Sequence, residues 1–229
     1  MERRFDPAEP ELMDRPQPVS AELERDLENL RQLNRYFGSY AVIRRFIHKW
    51  IRAGDQLRVV DLATGSGDIP RLIVDHARKV GAKVQIDALD QQGSTLEIAR
   101  KLSAGYPEIS FVQANILEWN PAEPYDIVFN SLALHHFAEE DAVRLLRHCR
   151  ELSRRFVLVS DLRRGLLASV GVYLLTALIF RERMTREDGR ASAARAFSFA
   201  EMHELARRAD WENFGHRKFR FARQAIWAA

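Results

Sequence analysis

Only one cysteine, Cys149, occurs in the 229 residues. That excludes an internal disulfide and any cysteine metal cluster, and it suits a reducing compartment such as the cytoplasm. No metal is expected. No apolar run reaches the ~20 residues that a membrane-spanning helix needs; residues 166–180 (LLASVGVYLLTALIF), a run without a charge, stop at 15. The opening MERRFDPAEPELMDRP has no apolar centre of the kind that marks a signal peptide. Charge of one sign is also missing: 35 Lys and Arg face 32 Asp and Glu, a net charge of +3, which excludes a strong binder of polyanions across the whole molecule. No DNA partner is expected. From Asp141 onward 18 basic residues stand against 10 acidic ones, but they are mostly arginines scattered along predicted helices. That pattern describes a solvated face better than an RNA footprint. Internal repeats are absent, and the length suits one domain with a sizeable core, residues 1–229.

What is present centres on residues 57–70, LRVVDLATGSGDIP. Leu57, Val59 and Val60 read as a buried parallel strand that ends at Asp61. Gly65 and Gly67 follow among small residues, and then Ile69, Leu72, Ile73 and Ala77 recur at helical spacing. The helix is predicted to start near Asp68, with Pro70 in its first turn, where a missing N–H costs nothing. Strand, glycine loop and helix together make a nucleotide-binding turn. A dinucleotide fingerprint would place a third glycine where Pro70 stands, which argues against a nicotinamide-dependent oxidoreductase.

Along the chain, residues 1–19 hold four prolines among mixed charges and are expected to be extended or poorly ordered. Ser20 is placed to cap a helix whose face carries Leu23, Leu27, Leu30 and Leu33 and which stops at Gly38. A second helix covers roughly residues 40–51. A strand over residues 83–90 ends at Asp90, 23 residues beyond Gly67, near the ~20-residue spacing of a ribose-binding acid; Asp87 is its competitor. Ser94 and Glu97 form a capping-box pattern for the next helix. Strands are predicted at residues 109–113, 125–130 and 156–159, and a helix at 139–152. Residues 184–196 read as a polar loop. Ser198 and Glu201 form a second capping box, starting a helix through Ala209. Residues 211–216 and 219–227 read as two closing strands in an antiparallel hairpin.

The string D-x-A-x-G-x-G at residues 61–67 resembles motif I of the class I S-adenosylmethionine-dependent methyltransferases, of the bacterial small-molecule type; Ala63 stands where many members have glycine. The resemblance implies a loop of Asp61, Ala63, Thr64, Gly65, Ser66 and Gly67 beneath the methionine part of the cofactor. It implies Asp90, with Gln91, at the ribose, and Asn115 and Ile116 beside the adenine, with Asn115 in place of the family's usual aspartate. Residues 125–137, YDIVFNSLALHHF, resemble motif IV, which puts Asn130 and Ser131 near the methionine end of the cofactor. His135 becomes a candidate general base there, because imidazole titrates near neutrality, and His136 is the second candidate.

The implied fold is α/β: a Rossmann-like, doubly wound, seven-stranded, mostly parallel sheet with an antiparallel C-terminal hairpin. A helical cap precedes it at residues 1–54, the core occupies 55–229, and a lid insertion after strand five spans 162–197. The implied cofactor is S-adenosyl-L-methionine, leaving S-adenosyl-L-homocysteine. The LNRYFG segment at 33–38, the apolar insertion and RAFSFAE at 195–201 resemble secondary-metabolism enzymes. They point to O-methylation of a hydrophobic phenolic or polyketide-like small molecule. C-methylation of the quinone-biosynthesis type and a non-catalytic binder of the cofactor are the alternatives. An RNA partner is not expected. Arg163, Arg164, Arg181 and Arg183 around the apolar run would suit peripheral membrane contact, and the oligomeric state is left open.

Overall fold

The computed structural model describes residues 2–165, 171 and 182–229. The chain builds a seven-stranded sheet from β1 (Gln56–Leu62), β2 (Lys83–Asp90), β3 (Ile109–Gln113), β4 (Tyr125–Ser131), β5 (Ser153–Leu162), β6 (Gly215–Phe219) and β7 (Arg223–Ala228). Their order across the sheet is β3-β2-β1-β4-β5-β7-β6. The first five strands pair in parallel and β7 runs antiparallel to both neighbours. The helices among the described residues are α1 (Ala21–Tyr36), α2 (Ser39–Trp50), α3 (Asp68–Val80), α4 (Gly93–Leu102), α5 (Glu139–Glu151), α6 (Arg183–Arg195) and α7 (Phe199–Arg208). The expected doubly wound sheet with its terminal hairpin is therefore present, and among the described residues no helix is long and apolar enough to cross a membrane.

Two cores flank this sheet because successive strand residues point to opposite faces. Val59, Ile127, Phe129 and Leu158 join α2 and α3 on one face through Ile43, Ile47 and Ile73. Val60, Leu62, Val128 and Val157 join α5 and α7 on the other through Leu145, Leu146, Met202 and Leu205. Burying each such aliphatic side chain contributes roughly 1.5–3 kcal/mol. Buried on both faces, the central strands read as continuous apolar runs. A smaller cluster of Leu23, Leu27, Ile98 and Met184 ties α1 to α4 and α6.

Several local expectations are corrected. Residues 184–196 are not a loop but most of α6. Its packed positions include Thr185, Asp188 and Arg195, so a helix that buries polar residues left no apolar periodicity to read. Residues 2–19 do not hang free: Asp188 accepts the Leu12 N–H at 2.7 Å and the Met13 N–H at 2.9 Å, and a 3-10 turn forms at Leu12–Asp14. The Ser94–Glu97 capping box does not form. Asp90 Oδ1 holds the Gln92 N–H at 3.0 Å, and the chain enters α4 directly after Gln92. The Ser198–Glu201 box does form, and Ser20 caps α1 through the Leu23 N–H. The closing strands lie later than expected. Trp211 is buried and its indole N–H donates to Leu146 O at 2.9 Å, so β6 begins only at Gly215, where a Cβ would stand 2.1 Å from the Trp227 ring. β5 is longer than residues 156–159 at both ends. The apolar run at 166–180, expected as a buried helix or lid, lies outside the described residues except for Gly171.

Candidate active site

A cavity of about 1020 Å³ opens at the carboxyl ends of β1, β2 and β4, where parallel α/β sheets bind ligands. One half is lined by Asp61, Ala63, Thr64, Gly65 and Ser66 of the first loop, together with Asp90, Gln91, Asn115, Ile116 and Ser131. Ten of the twelve residues expected to hold the cofactor thus line one space. Gly67 and Asn130 do not. Gly67 has φ +72, and a Cβ there would meet the Phe111 ring at 2.9 Å, so its glycine is needed for the turn into α3. Asn130 is fully buried and donates from Nδ2 to Leu62 O at 2.9 Å, which ties β4 to β1. Both shape the loop from behind.

The loop's own geometry leaves room for a ligand. Gly65 has φ +55, and a Cβ there would meet nothing within 4 Å. Its N–H donates to Asp90 Oδ2 at 2.9 Å, so the acid that ends β2 is braced against the loop after β1. Ala63 also adopts positive φ, +61, a conformation that costs a non-glycine residue roughly 1–2 kcal/mol. Its departure from the family's glycine is a strained one. Asp87, the competitor for the ribose, is instead engaged by the Tyr125 hydroxyl at 2.8 Å. Asn115 is exposed and its Oδ1 accepts the Leu117 N–H at 3.1 Å, which uses one of that oxygen's two lone pairs.

Buried polar atoms without partners mark this half. Asp61 is 2% exposed, and its Oδ2 has no hydrogen-bond partner among the described residues; the same holds for Thr64 Oγ1 and Ser131 Oγ. Burial pushes the Asp61 carboxyl up to about 8, with Asp68 and Asp90 adding repulsion. Burial likewise raises the Asp90 carboxyl, against the Gln92 and Gly65 N–H bonds that favour its charge. Buried native polar groups are nearly always paired, so the three here, which face the cavity, leave acceptors and hydroxyls for a polar ligand.

The rest of the wall carries the apolar Phe5, Met13, Leu27, Leu30, Phe37 and Phe137 beside the charged Glu11, Asp14, Arg31, Asp188 and Arg195. The two halves meet at a 3-10 turn, Leu134–His136. His135 is 2% exposed. Its ring Nδ1 lies 2.6 Å from Asp161 Oδ1, while its backbone N–H donates to Asp161 Oδ2 at 2.8 Å. A carboxylate at Nδ1 fixes that nitrogen as the protonated one and leaves a lone pair on Nε2. Nε2 has no partner among the described residues. His136 Nδ1 lies 2.6 Å from Asp14 Oδ2. Burial works against its charge, but the Asp14 bond, with Glu11 and Asp161 nearby, raises it to about 9.

Asp161 had a trace in the sequence as an acid at a strand end. Arg3, Glu11 and Asp14 had none. Arg3 donates to Phe137 O at 2.7 Å, His135 O at 3.1 Å and Arg195 O at 2.6 Å, so the N-terminal segment closes over the histidine turn.

Fold and site together define a Rossmann-like protein with a cavity at the carboxyl ends of its parallel strands. The Methyltransferase domain family model matches residues 59–155, a span that holds both loops, most of β1 and all of β2, β3 and β4. Over that span, about two fifths of the chain, the sequence is similar to the methyltransferase domain family. A 2-phytyl-1,4-naphtoquinone methyltransferase of Thermosynechococcus vestitus is 33% identical over 81 residues, 35% of each chain. A trans-aconitate 2-methyltransferase of Azoarcus is 30% identical over 101 residues, 42% of this chain and 36% of that protein. The matches thus span about a third of the length of these curated relatives. Among solved structures, the plantazolicin methyltransferase BpumL, in complex with a triazolic desmethylPZN analogue and S-adenosylhomocysteine, aligns with TM-score 0.64 at 12% identity over 89% of both chains. That last likeness is one of fold.

Proposed function

We propose that the chain transfers the sulfonium methyl of S-adenosylmethionine to an oxygen of a hydrophobic small molecule, with a phenolic or polyketide-like acceptor as the best fit, in a reducing cytoplasm. The observation that carries this reading is the divided cavity, with unmet polar groups on one side, apolar side chains on the other and the histidine turn between them. The cofactor brings an activated methyl with a good leaving group, which leaves the protein mainly alignment and exclusion of water. Asp61 is assigned to the cofactor's ammonium, since opposite charges attract strongly where water is scarce. Asp90 and Gln91 are assigned to the ribose, Asn115 and Ile116 to the adenine, and the Ala63–Ser66 backbone and Ser131 to the methionine end. The His135–Asp161 pair, with His136 beside it, is assigned to activating the acceptor hydroxyl.

C-methylation is a second reading, supported by the similarity to a naphthoquinone methyltransferase; it needs the same cradle and an electron-rich ring carbon. The test is turnover of labelled S-adenosylmethionine against phenols, polyketide-like phenolics and reduced quinones, with product analysis to locate the methyl. Phenol ethers are expected, with activity lowered about 100-fold in His135→Ala while S-adenosylhomocysteine affinity stays unchanged. Ring-methylated products would shift the reading to carbon. Cofactor binding with no product from any acceptor would favour a non-catalytic binder.

A further inference from the structure

We propose that Glu11, His135 and His136 form a site for a divalent transition-metal cation at the boundary between the two halves of the cavity. A donor atom from each of the three residues lies within 4.8 Å of the other two. Both Nδ1 atoms are taken by carboxylates, Asp161 on His135 and Asp14 on His136, each at 2.6 Å. That leaves the two Nε2 atoms as nitrogen donors. A ligating histidine characteristically gives its other ring N–H to a carboxylate, which fixes the tautomer and strengthens the donor. Two such carboxylate–histidine pairs on adjacent residues, with ring centroids 4.3 Å apart, therefore present the outer shell of a metal centre.

The third ligand arrives from the N-terminal segment. Glu11 is 3% exposed. Ser192 Oγ lies 3.0 and 2.9 Å from its two oxygens, and Arg195 Nη1 lies 3.4 Å from Oε1. Oε2 is the oxygen turned toward the histidines, 4.0 Å from His136 Nε2. His135 Nε2 is buried and unpartnered among the described residues, so it loses no hydrogen bond on taking a cation. Closing to bond lengths of about 2.0–2.2 Å requires the three donors to draw together by about 1 Å. Two imidazoles and one carboxylate favour zinc or another first-row ion over magnesium, which prefers oxygen. All three residues line the cavity, so a fourth coordination position faces the acceptor space, the arrangement of a catalytic rather than a structural zinc.

Binding at neutral pH displaces any Nε2 proton to solvent. On the methyl-transfer reading, on which this role rests, the open position takes the acceptor hydroxyl. The cation lowers its pKa and the hydroxyl proton passes to water. The oxygen then forms the new O–CH3 bond as the S–CH3 bond breaks and S-adenosylhomocysteine leaves.

The test separates the site from the reaction. The metal-stripped full chain is titrated with Zn²⁺ by calorimetry and with Co²⁺ by visible absorption, in wild type, Glu11→Gln and His136→Ala. S-adenosylhomocysteine binding in each variant confirms an intact fold. One equivalent with tetrahedral cobalt bands, weakened at least tenfold by each substitution, is expected. Absence of binding in wild type, or affinity untouched by both substitutions, would overturn the proposal. Metal bound normally but no methyl transferred to any acceptor would sink the functional reading and leave the site standing.

Discussion

The two halves of the cavity are held together in different ways. The half assigned to the cofactor is made by neighbouring strands: the loop after β1 and the acid that ends β2 meet because their strands pair in register, Leu62 opposite Leu89. Its key bond, Gly65 N–H to Asp90, joins residues 25 apart. The acceptor half is made by distant pieces. Asp14 reaches His136 across 122 positions and Leu12 reaches Asp188 across 176. Its wall is set by side chains of the N-terminal segment, α1 and α6, not by sheet hydrogen bonds. A cradle built on the sheet is rigid and preorganised, whereas a wall assembled from outer elements opens at lower free energy. On the proposed assignment, one half holds the cofactor and the other can vary its acceptor without disturbing the sheet.

The sharpest test of this division is Asp90→Ala. It removes the proposed ribose acceptor and the brace on Gly65 and Gln92 together, so S-adenosylhomocysteine affinity is expected to fall about 100-fold by calorimetry, as two charge-assisted bonds are lost. A fall under threefold would remove Asp90 from the ribose. Next in size is Asp61. Its carboxyl is raised from 3.8 to about 8 in the folded chain, so the native state binds more protons than the unfolded one. The stability linked to that proton is full below about 4 and is lost as pH rises through about 8. On the proposed assignment, the cofactor's ammonium reverses the preference and expels the proton. Cofactor affinity should therefore climb between pH 6 and 8, by up to about tenfold per unit, and level off above. In Asp61→Asn both pH dependences should flatten, and affinity at pH 8 should fall about tenfold; a retained pH slope would assign the titration to another group.

Smallest is Arg3→Ala in the opposite half. Loosening the N-terminal segment from His135 and Phe137 is expected to raise the acceptor KM about fivefold, while S-adenosylhomocysteine affinity changes less than twofold. Equal effects on both ligands would erase the division between halves.

The same division explains what the sequence disclosed. Val59 and Val60 announce a buried strand. Asp61, Gly65, Gly67 and Asp90 carry their meaning in local order, so sheet, loop and hairpin were legible. Gly67 and Asn130 were legible as special positions but not in their roles, since only packing reveals Phe111 behind one and Leu62 O beside the other. α6 was illegible because its packed face spends Thr185, Asp188 and Arg195 on polar contacts. Glu11 and Asp14 look like any acids in a proline-rich start. Their significance comes from tertiary contacts alone.

The central claim is that the β1 and β2 loops form a cradle for S-adenosylmethionine, and one calorimetric experiment tests it most directly. The wild-type chain is titrated with S-adenosylhomocysteine and, under the same conditions, with NADH. Saturable micromolar binding of the first at one equivalent, with no heat from the second, is the predicted result. Silence from S-adenosylhomocysteine, or binding of NADH in its place, would contradict it.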